Sequence, residues 1–382
     1  MKKLRCLYVS RYAPNRTRTD PYTGLPWYLS ERTSLVGLWG RPGRSVPFEN
    51  HCEEIIETNS DWWAIPRSFF AVWQFLRGYK GVDAVVCGID EYSLSVGLFA
   101  GKLADAPVFC VVEDPPFTDR YCQQIGWRRK REKQIRRLVL KTLLNFCSGI
   151  FCFIEKGVLN EINLDNVEIH QLMNGVSSQA LAWVRKRPGI EKEASEYVIG
   201  YVGAINKKQG IEDLLEIFAA ARRKLPKLRL QLIGPLDDDY TRSYQAKISD
   251  LALDSSVRIT GWLPYEKMLE RLQECDICVY CNPATEWFRF AQPLKICEYL
   301  ALEKPTIAWD YPGTRRMLNH GRYGILVPPG NKSAFVDALV SVADPTASRH
   351  MENEIHAALQ GHWSSDYWYN HVLDILASAR EG

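Results

Sequence analysis

Short apolar runs rich in valine, isoleucine, phenylalanine and cysteine recur along the first half of the chain, with longer amphipathic stretches between most of them. The runs predict strands at residues 7–10, 84–87, 108–112, 150–154 and 168–172, and the amphipathic stretches predict helices at 66–79 and 132–145. Strands that are apolar on both faces and alternate with helices are typical of a parallel sheet covered on both sides. The first half is therefore predicted to be a doubly wound α/β unit.

The same pattern restarts after a polar segment at 185–195, which is broken by Pro188-Gly189 and is the best linker candidate. The second series predicts strands at 197–202, 228–233, 257–260, 277–280, 306–308 and 324–327. Apolar residues in 210–224 follow the spacing of one helix face. The predicted fold class is α/β, with two doubly wound Rossmann-like domains that face each other across a cleft, where open α/β folds bind nucleotides.

Composition excludes several classes of protein. Apolar residues make up 46% of the 382 residues and charged residues 24%, which is ordinary globular usage and excludes a disordered, collagen-like or coiled-coil chain. The 48 Lys and Arg residues exceed the 45 Asp and Glu residues by only three, too few to imply a nucleic acid partner.

Cysteine usage and hydropathy predict a location. Eleven cysteines scattered along a long chain are typical of reduced thiols in the cytoplasm. No extended apolar signal region follows the first residues. The stretch 138–154 contains Lys141 and Asn145 and fails as a membrane span. We expect a cytoplasmic protein that touches a bilayer at most peripherally, on the inner face of the membrane.

Glycines near the start of the second half suggest a phosphate site. The chain has no Gly-x-Gly-x-x-Gly after the first strand and no Gly-Lys-Ser/Thr phosphate loop. Instead, the predicted strand ending at Gly203 leads through a loop with Lys207 and Lys208 to Gly210, which opens a helix. A helix amino terminus favours phosphate, although an ordinary strand-to-helix turn also uses glycine.

The cysteines in 275–281 lack a fourth ligand nearby, so no metal is expected.

Taken together, several segments resemble the retaining glycosyltransferases of family 4. They follow the order of that family's motifs, most strongly over 200–330. The matching segments are Asn174-Gly175-Val176, Gly200 to Gly210, Leu232-Ile233-Gly234-Pro235, Ile259-Thr260-Gly261-Trp262-Leu263-Pro264, Leu272 to Tyr280, Pro293-Leu294-Lys295-Ile296-Cys297-Glu298-Tyr299 and Gly324 to Pro328.

The resemblance implies a B-type two-domain fold and an activity. It implies an acceptor-binding domain over 1–175, a nucleotide-sugar-binding domain over 176–360, and a last helix over 361–382 that crosses back to the first domain. The donor would be a UDP-, GDP- or ADP-sugar, with no essential metal, and the acceptor a glycan or a lipid-linked sugar. Such enzymes retain the anomeric configuration by front-face attack, which needs no strong protein base.

Lys295 and Glu298 are the central site residues. Negative charge grows on the leaving diphosphate as the anomeric bond breaks, so a cation at the start of a helix can stabilise it. Lys295 follows Pro293-Leu294, where a helix should begin, and Glu298 lies three residues later on the same face. The resemblance assigns Glu298 to the ribose hydroxyls.

The chain departs from the common family pattern at two places. Phe290 stands where many members have a first glutamate, so Glu286, Arg289 or Gln292 could share that role toward the donor sugar. In the phosphate loop, Ala204 and Gln209 stand where basic residues are usual. Lys207 and Lys208 of the same loop could supply one of those charges.

The predicted site extends into both halves. The segment 22–27 resembles a glycine loop that faces the donor phosphate, and Glu113-Asp114 ends a predicted strand where one carboxylate could contact the acceptor or the reacting sugar. The predicted catalytic residues are Glu113, Asp114 and Lys295. The predicted donor-binding residues are Gly24, Gly203, Lys207, Lys208, Gly261, Trp262, Glu286, Arg289, Gln292, Pro293, Leu294, Lys295 and Glu298.

The segment 128–141 is strongly basic. It holds eight Lys and Arg residues against Glu132 alone, and apolar residues follow the cluster. Such a helix could rest on the anionic headgroups of a membrane, although charge runs are more often solvated. A lipid-linked acceptor would explain this segment together with the aromatic residues of 62–75, whereas nucleic acid would explain only the charge.

Two alternatives to a transferase stay open at this point. A sugar-nucleotide epimerase of the same fold would need no acceptor. A nucleotide-binding scaffold on a degenerate transferase fold would explain Ala204, Gln209 and Phe290.

Overall fold

Parallel strands alternate with helices twice along the chain, as the hydrophobic pattern predicts. The computed structural model describes residues 3–11, 21–39, 54–57, 65–78, 81–114, 127–162, 164, 167–186, 196–361 and 363–380. The chain divides into two units, the first comprising Met1–Asn174 with Asp366–Gly382 and the second Gly175–Ser365. Each unit has its own parallel sheet with flanking helices, so the α/β class with two Rossmann-like domains is confirmed.

The sheet of the first unit has seven strands within the described residues. They are β1 (Arg5–Ser10), β2 (Ser34–Trp39), β3 (Glu54–Glu57), β4 (Ala84–Gly88), β5 (Val108–Val112), β6 (Gly149–Cys152) and β7 (Glu168–Gln171). Their order is β3-β2-β1-β4-β5-β6-β7 and all neighbours are parallel. The sequence pattern missed β2 and β3, because β2 follows a helix with one residue between them and β3 has only two apolar residues.

Four helices of this unit are α1 (Pro21–Arg32), α2 (Ile65–Gly78), α3 (Glu91–Ala104) and α4 (Trp127–Leu144). The C-terminal helix, Ser365–Ser378, contributes Tyr369, Val372 and Leu376 to the same core as Tyr8 and Leu29. The last helix therefore completes the hydrophobic core of the first unit.

The second unit has a six-stranded sheet. Its strands are β8 (Tyr197–Val202), β9 (Leu228–Ile233), β10 (Val257–Ile259), β11 (Ile277–Tyr280), β12 (Thr306–Trp309) and β13 (Gly324–Val327), in the order β10-β9-β8-β11-β12-β13. Its helices are α5 (Ser178–Lys186), α6 (Ile211–Lys224), α7 (Asp238–Asp250), α8 (Tyr265–Gln273), α9 (Glu286–Phe290), α10 (Leu294–Ala301), α11 (Pro312–Met317), α12 (Lys332–Ser341) and α13 (Pro345–Leu359).

Strand β8 illustrates why this sheet is covered on both sides. Ile199 and Tyr201 lie in one core with Phe218 of α6, whereas Val202 lies in the other core with Ile296 of α10. Successive side chains of a strand point to opposite faces, so an uninterrupted apolar run requires a helix layer on each side. The strand order reverses at β8, which makes its carboxyl end a topological switch point.

Two segments join the units, at residues 174–175 and 365–366. Within the second unit the backbone N–H of Val176 donates to the carbonyl of Trp363 at 2.6 Å, and that of Ser365 donates to the carbonyl of Val176 at 2.9 Å. Most of the predicted linker, 187–195, lies outside the described residues. Among the described helices, none combines the length and apolar character that crossing a bilayer requires.

Candidate active site

Three strands of the second unit are followed by glycines at the carboxyl edge of the sheet. Gly203 follows β8, Gly234 follows β9, and Gly261 lies two residues after β10. Gly203 has φ +136° and Gly234 has φ +148°, and a β-carbon on Gly234 would lie 2.1 Å from the carbonyl oxygen of Gly203. Only glycine permits this approach of two backbones. The result is a patch of backbone at the carboxyl edge of β8 and β9.

Hydrogen bonds fix this patch. The N–H of Gly203 donates to the carbonyl of Ile233 at 2.9 Å, and the N–H of Gly234 donates to Thr260 Oγ1 at 3.3 Å. Gly234 also forms an isolated antiparallel bridge with Gly261. The backbone that faces the switch point is therefore held by the sheet itself.

Lys295 brings a positive charge to Gly203. A β-carbon on Gly203 would lie 2.8 Å from Lys295 Nζ, which places the ammonium directly against that glycine. Lys295 Nζ donates to the hydroxyl of Tyr201 at 3.2 Å and lies 4.4 Å from the centroid of the same ring. The ring of Tyr280 lies 5.6 Å away. Two tyrosines thus orient the ammonium through a hydrogen bond and cation–π contacts.

Helix α10 carries Lys295 in its first turn and is anchored to the sheet. Pro293 is the residue before the helix and has the extended conformation that its ring favours. The hydroxyl of buried Tyr299 accepts a hydrogen bond from the N–H of Val202 at 3.0 Å and donates to the carbonyl of Val279 at 3.4 Å. The helix start, with its partial positive charge, is therefore fixed near the ends of β8 and β11.

Glu298 lies one turn after Lys295 and is partly buried. Burial raises the pKa of its carboxyl from 4.5 to about 7, while the nearby charge of Lys295 acts in the opposite direction. The negative charge of Glu298 in turn contributes to a raised pKa of Tyr265, behind the larger effect of burial. Lys295, Glu298 and Tyr265 therefore form one electrostatic group.

We expect Gly203→Ala to weaken nucleotide binding strongly. The new methyl group would meet Lys295 Nζ, and the φ of +136° is costly for any residue with a β-carbon. The dissociation constant of the nucleotide that the sequence resemblance implies should rise about tenfold or more, measured by calorimetry. Gly330→Ala is the matched control, because Gly330 also has a positive φ, +78°, but has open space at its β-carbon position. Equal losses in both variants would contradict the placement of Lys295.

The lysines of the predicted phosphate loop lie in the turn that leads into α6. Lys207 and Lys208 belong to a 3₁₀ turn, Lys207–Gln209, and both side chains are exposed. Lys207 Nζ lies 3.7 Å from a carboxylate oxygen of Glu212. Trp262 is 73% exposed, so its indole ring is open to solvent beside Gly261. Their contacts with a donor stay predictions.

The predicted contacts with the donor sugar just before and at the start of α10 differ in burial. Glu286 begins α9, and its side chain lies outside the described part of the structure. Arg289 is exposed, whereas Gln292 is buried and Leu294 is partly buried. The role of these residues toward a donor sugar stays a prediction.

Sequence reasoning missed Tyr201 and Asn282. Asn282 is fully buried after β11, its Nδ2 donates to Gln209 Oε1 at 2.7 Å, and its carbonyl accepts from the hydroxyl of Tyr311 at 3.1 Å. Gln209, which stands where the resembling family has lysine, is thus tied to the sheet edge. The position of Asn282 at the carboxyl end of a strand was the only sequence signal for it.

In the first unit, Glu113 and Asp114 follow β5 at the carboxyl edge of the sheet. Glu113 is buried and Asp114 is partly buried. The neighbouring strand β4 is followed by Asp90, whose carboxylate accepts from the N–H groups of Tyr92 and Ser93 and caps α3. Gly24 lies inside α1, so the prediction of a glycine loop there is wrong and its donor contact stays untested.

Among the described residues, no group of three His, Cys, Asp or Glu side chains is arranged to hold a metal ion. Nine cysteines within the described ranges are buried, including Cys275, Cys278 and Cys281. The interpretation of these three residues as core side chains therefore agrees with their burial.

Residues 196–344 match the family model described as Glycosyl transferases group 1. The chain is 24% identical over 209 residues to the phosphatidyl-myo-inositol mannosyltransferase of Mycobacterium leprae, covering 54% of this chain and 52% of that one. Its matches span between 41% and 52% of the length of the first curated relatives.

Solved structures share the fold at full length. HepE of Anabaena, in complex with UDP, has a TM-score of 0.71 at 16% identity and covers 98% of this chain and 100% of its own. Sucrose-phosphate synthase of Thermosynechococcus elongatus has a TM-score of 0.74 at 16% identity, covering 99% of each chain. These structures show that the chain shares their fold, and residues 196–344 form a domain that matches the group 1 model.

Proposed function

We propose that this chain moves a sugar from a nucleotide-sugar donor to a glycan or lipid-linked acceptor, with retention of configuration, in the synthesis of a surface polysaccharide or glycolipid. The observation that carries the proposal is the contact of Lys295 with Gly203 at the switch point, with Glu298 one turn later. Two relatives, one named as a phosphatidyl-myo-inositol mannosyltransferase and one as an alpha-D-kanosaminyltransferase, support the reaction class.

The diphosphate would lie between the backbone at Gly203 and the start of α10. Lys295 Nζ is positioned to neutralise the charge that grows on the leaving phosphate oxygen. Because Ala204 and Gln209 are neutral, Lys295 would supply the cation that the phosphate loop lacks at those two positions. The carboxylate of Glu298 would accept hydrogen bonds from the ribose hydroxyls, which orients the nucleotide.

In front-face attack the leaving phosphate oxygen takes the proton of the acceptor hydroxyl while that hydroxyl oxygen bonds to the anomeric carbon. Lys295 would stabilise the diphosphate until this transfer, and no further protein base is required. We propose that Glu113 or Asp114 of the first unit contacts the acceptor or the reacting sugar, supported by their place at the carboxyl edge of β5. We place the reaction in the cytoplasm, supported by the eleven cysteines scattered along a long chain, a usage typical of reduced thiols.

We expect one of UDP, GDP and ADP to raise the melting temperature of the protein by about 5 °C at saturating concentration, since a ligand that binds only the folded state stabilises it by mass action. UDP is the first to test, because HepE binds it. The matching nucleotide-sugar should then release nucleotide in the presence of an acceptor. No shift with any of the three would contradict the proposal.

A second candidate is a nucleotide-binding protein without transferase activity. The neutral residues Ala204 and Gln209, the latter fixed by Asn282, favour it. Retained nucleotide affinity with no release of nucleotide across a panel of acceptors would select this candidate over the enzyme.

A further inference from the structure

Helix α4 carries an apolar stripe on its outer side. Ile135, Leu138 and Val139 follow spacings of three and four residues, which places them along one side of the helix, and Phe146 lies in the turn just past the helix end. All four are exposed, with Leu138 at 66% and Phe146 at 72%. We call these four residues the α4 stripe.

The stripe is not the side by which α4 joins its unit. Leu140 and Leu144 are fully buried and attach the helix to the first unit. The sequence pattern had grouped Leu138, Val139 and Leu140 together, but the structure separates them onto opposite sides. A helix with apolar residues on both sides needs a second apolar environment for the outer one.

Charge around the stripe indicates the nature of that environment. The segment 128–141 contains eight basic residues and one acidic residue, a local sum of +7. Arg131 is exposed, one turn before Ile135. Arg136 Nη2 donates to Glu91 Oε2 of α3 at 3.3 Å, so part of its charge is used within the unit. An apolar stripe within a strongly cationic helix is complementary to lipid chains beneath anionic headgroups.

Exposed aromatic rings beside a cation also lie on α2, which, like α4, packs against α3. Phe70 and Trp73 are exposed, with ring centroids 5.7 Å apart, and the guanidinium of Arg77 lies 4.5 Å from the Trp73 centroid. A tryptophan with a cation over its ring suits the headgroup level of a bilayer. The same chemistry therefore occurs on two helices that flank α3.

We propose that the α4 stripe inserts into the surface of an anionic bilayer while the basic residues of α4 contact the lipid phosphates. Nucleic acid would engage the charge but leave the stripe exposed to water. This binding surface belongs to the first unit alone, and it does not depend on the proposed sugar transfer.

The full-length protein should cosediment with vesicles of phosphatidylcholine containing about 30% phosphatidylglycerol, and about tenfold less with phosphatidylcholine alone. Leu138→Glu with Phe146→Glu should reduce binding to the anionic vesicles at least tenfold, because each places a charge at the lipid boundary. Raising the salt from about 0.1 M to about 0.5 M should weaken the binding of the wild type. No nucleotide or acceptor is added, so the result is separate from transferase activity.

Tyr367→Glu, at an exposed position on the C-terminal helix, is the matched control and should bind vesicles like the wild type. Melting curves should show that all variants fold, since the substituted side chains are exposed. Equal binding of the double variant and the wild type, or no binding to anionic vesicles, would overturn the proposal. A wild-type dimer in light scattering that the double variant abolishes would assign the stripe to a second copy of the chain instead.

Discussion

Lys295→Ala should reduce kcat/KM for nucleotide release from the donor by about a thousandfold, equivalent to about 4 kcal/mol of transition-state stabilisation. The ammonium lies against Gly203, and the phosphate loop offers no basic residue at the two usual positions. Losing this cation leaves the growing charge on the diphosphate to the helix start alone, which contributes about 1 kcal/mol. Steady-state kinetics with the nucleotide-sugar selected by the melting screen would measure the effect.

The control is Lys224→Ala at the far end of α6, where the lysine pairs with Asp337 at 2.8 Å on the surface. This variant should keep its activity, because an exposed ion pair contributes little. Lys207→Ala should lose no more than about threefold, since that side chain is exposed and faces Glu212. If Lys207→Ala were as damaging as Lys295→Ala, the diphosphate would have to lie closer to the 3₁₀ turn than we propose.

The fold could be predicted because its central strands carry a simple signal. A run such as Val108–Val112 is buried on both faces, so all of its residues are apolar and the strand is visible without any knowledge of its neighbours. Strand β3 lies at the edge of the sheet and has charged residues at both ends. With only two apolar residues, it lacks the uninterrupted apolar run by which the central strands are recognised.

The candidate site could be predicted only where its residues are close in sequence. Lys295 and Glu298 share one helix face, so their spacing carries the information. Tyr201 orients Lys295 across 94 residues of sequence, and Asn282 holds Gln209 across 73. These contacts depend on the strand order β9-β8-β11, which a pattern of apolar runs does not determine. Gly24 shows that residues close in sequence can also mislead, since the short segment around it resembled a glycine loop but belongs to a helix.

Glu298 lowers the stability of the fold at neutral and alkaline pH. Its pKa is about 7 when folded, against the ordinary 4.5, because burial disfavours the charged form. The folded state thus binds this proton more tightly than the unfolded state. Below about pH 4.5, Glu298 does not lower the free energy of unfolding. The free energy of unfolding falls as the pH rises toward 7, and above pH 7 the reduction stays constant. A partly buried carboxylate that destabilises its own helix is typical of a residue kept for binding.

Glu298→Gln should therefore separate stability from binding. At about pH 8 the glutamine variant should unfold at a temperature a few degrees higher than the wild type, and at about pH 4.5 the two should be equal. Its affinity for the nucleotide-sugar selected by the melting screen should nevertheless fall about tenfold to a hundredfold, because a neutral amide accepts ribose hydroxyl hydrogen bonds less strongly than a carboxylate.

The pH dependence of donor binding gives the sharpest measurement of this role. The diphosphate of a nucleotide-sugar does not titrate near neutral pH, so any change in the wild-type affinity for the selected donor there reports on the protein. As the pH falls below about 7, protonation of Glu298 should weaken binding by up to tenfold per pH unit, and Glu298→Gln should show a flat profile in the same calorimetric titrations. Glu270→Gln, an exposed partner of Lys267 on α8, should keep the wild-type profile. A wild-type affinity that did not change between about pH 6 and 8 would mean that the carboxylate does not accept the ribose hydroxyls, and the nucleoside would have to be placed elsewhere along the edge of the sheet.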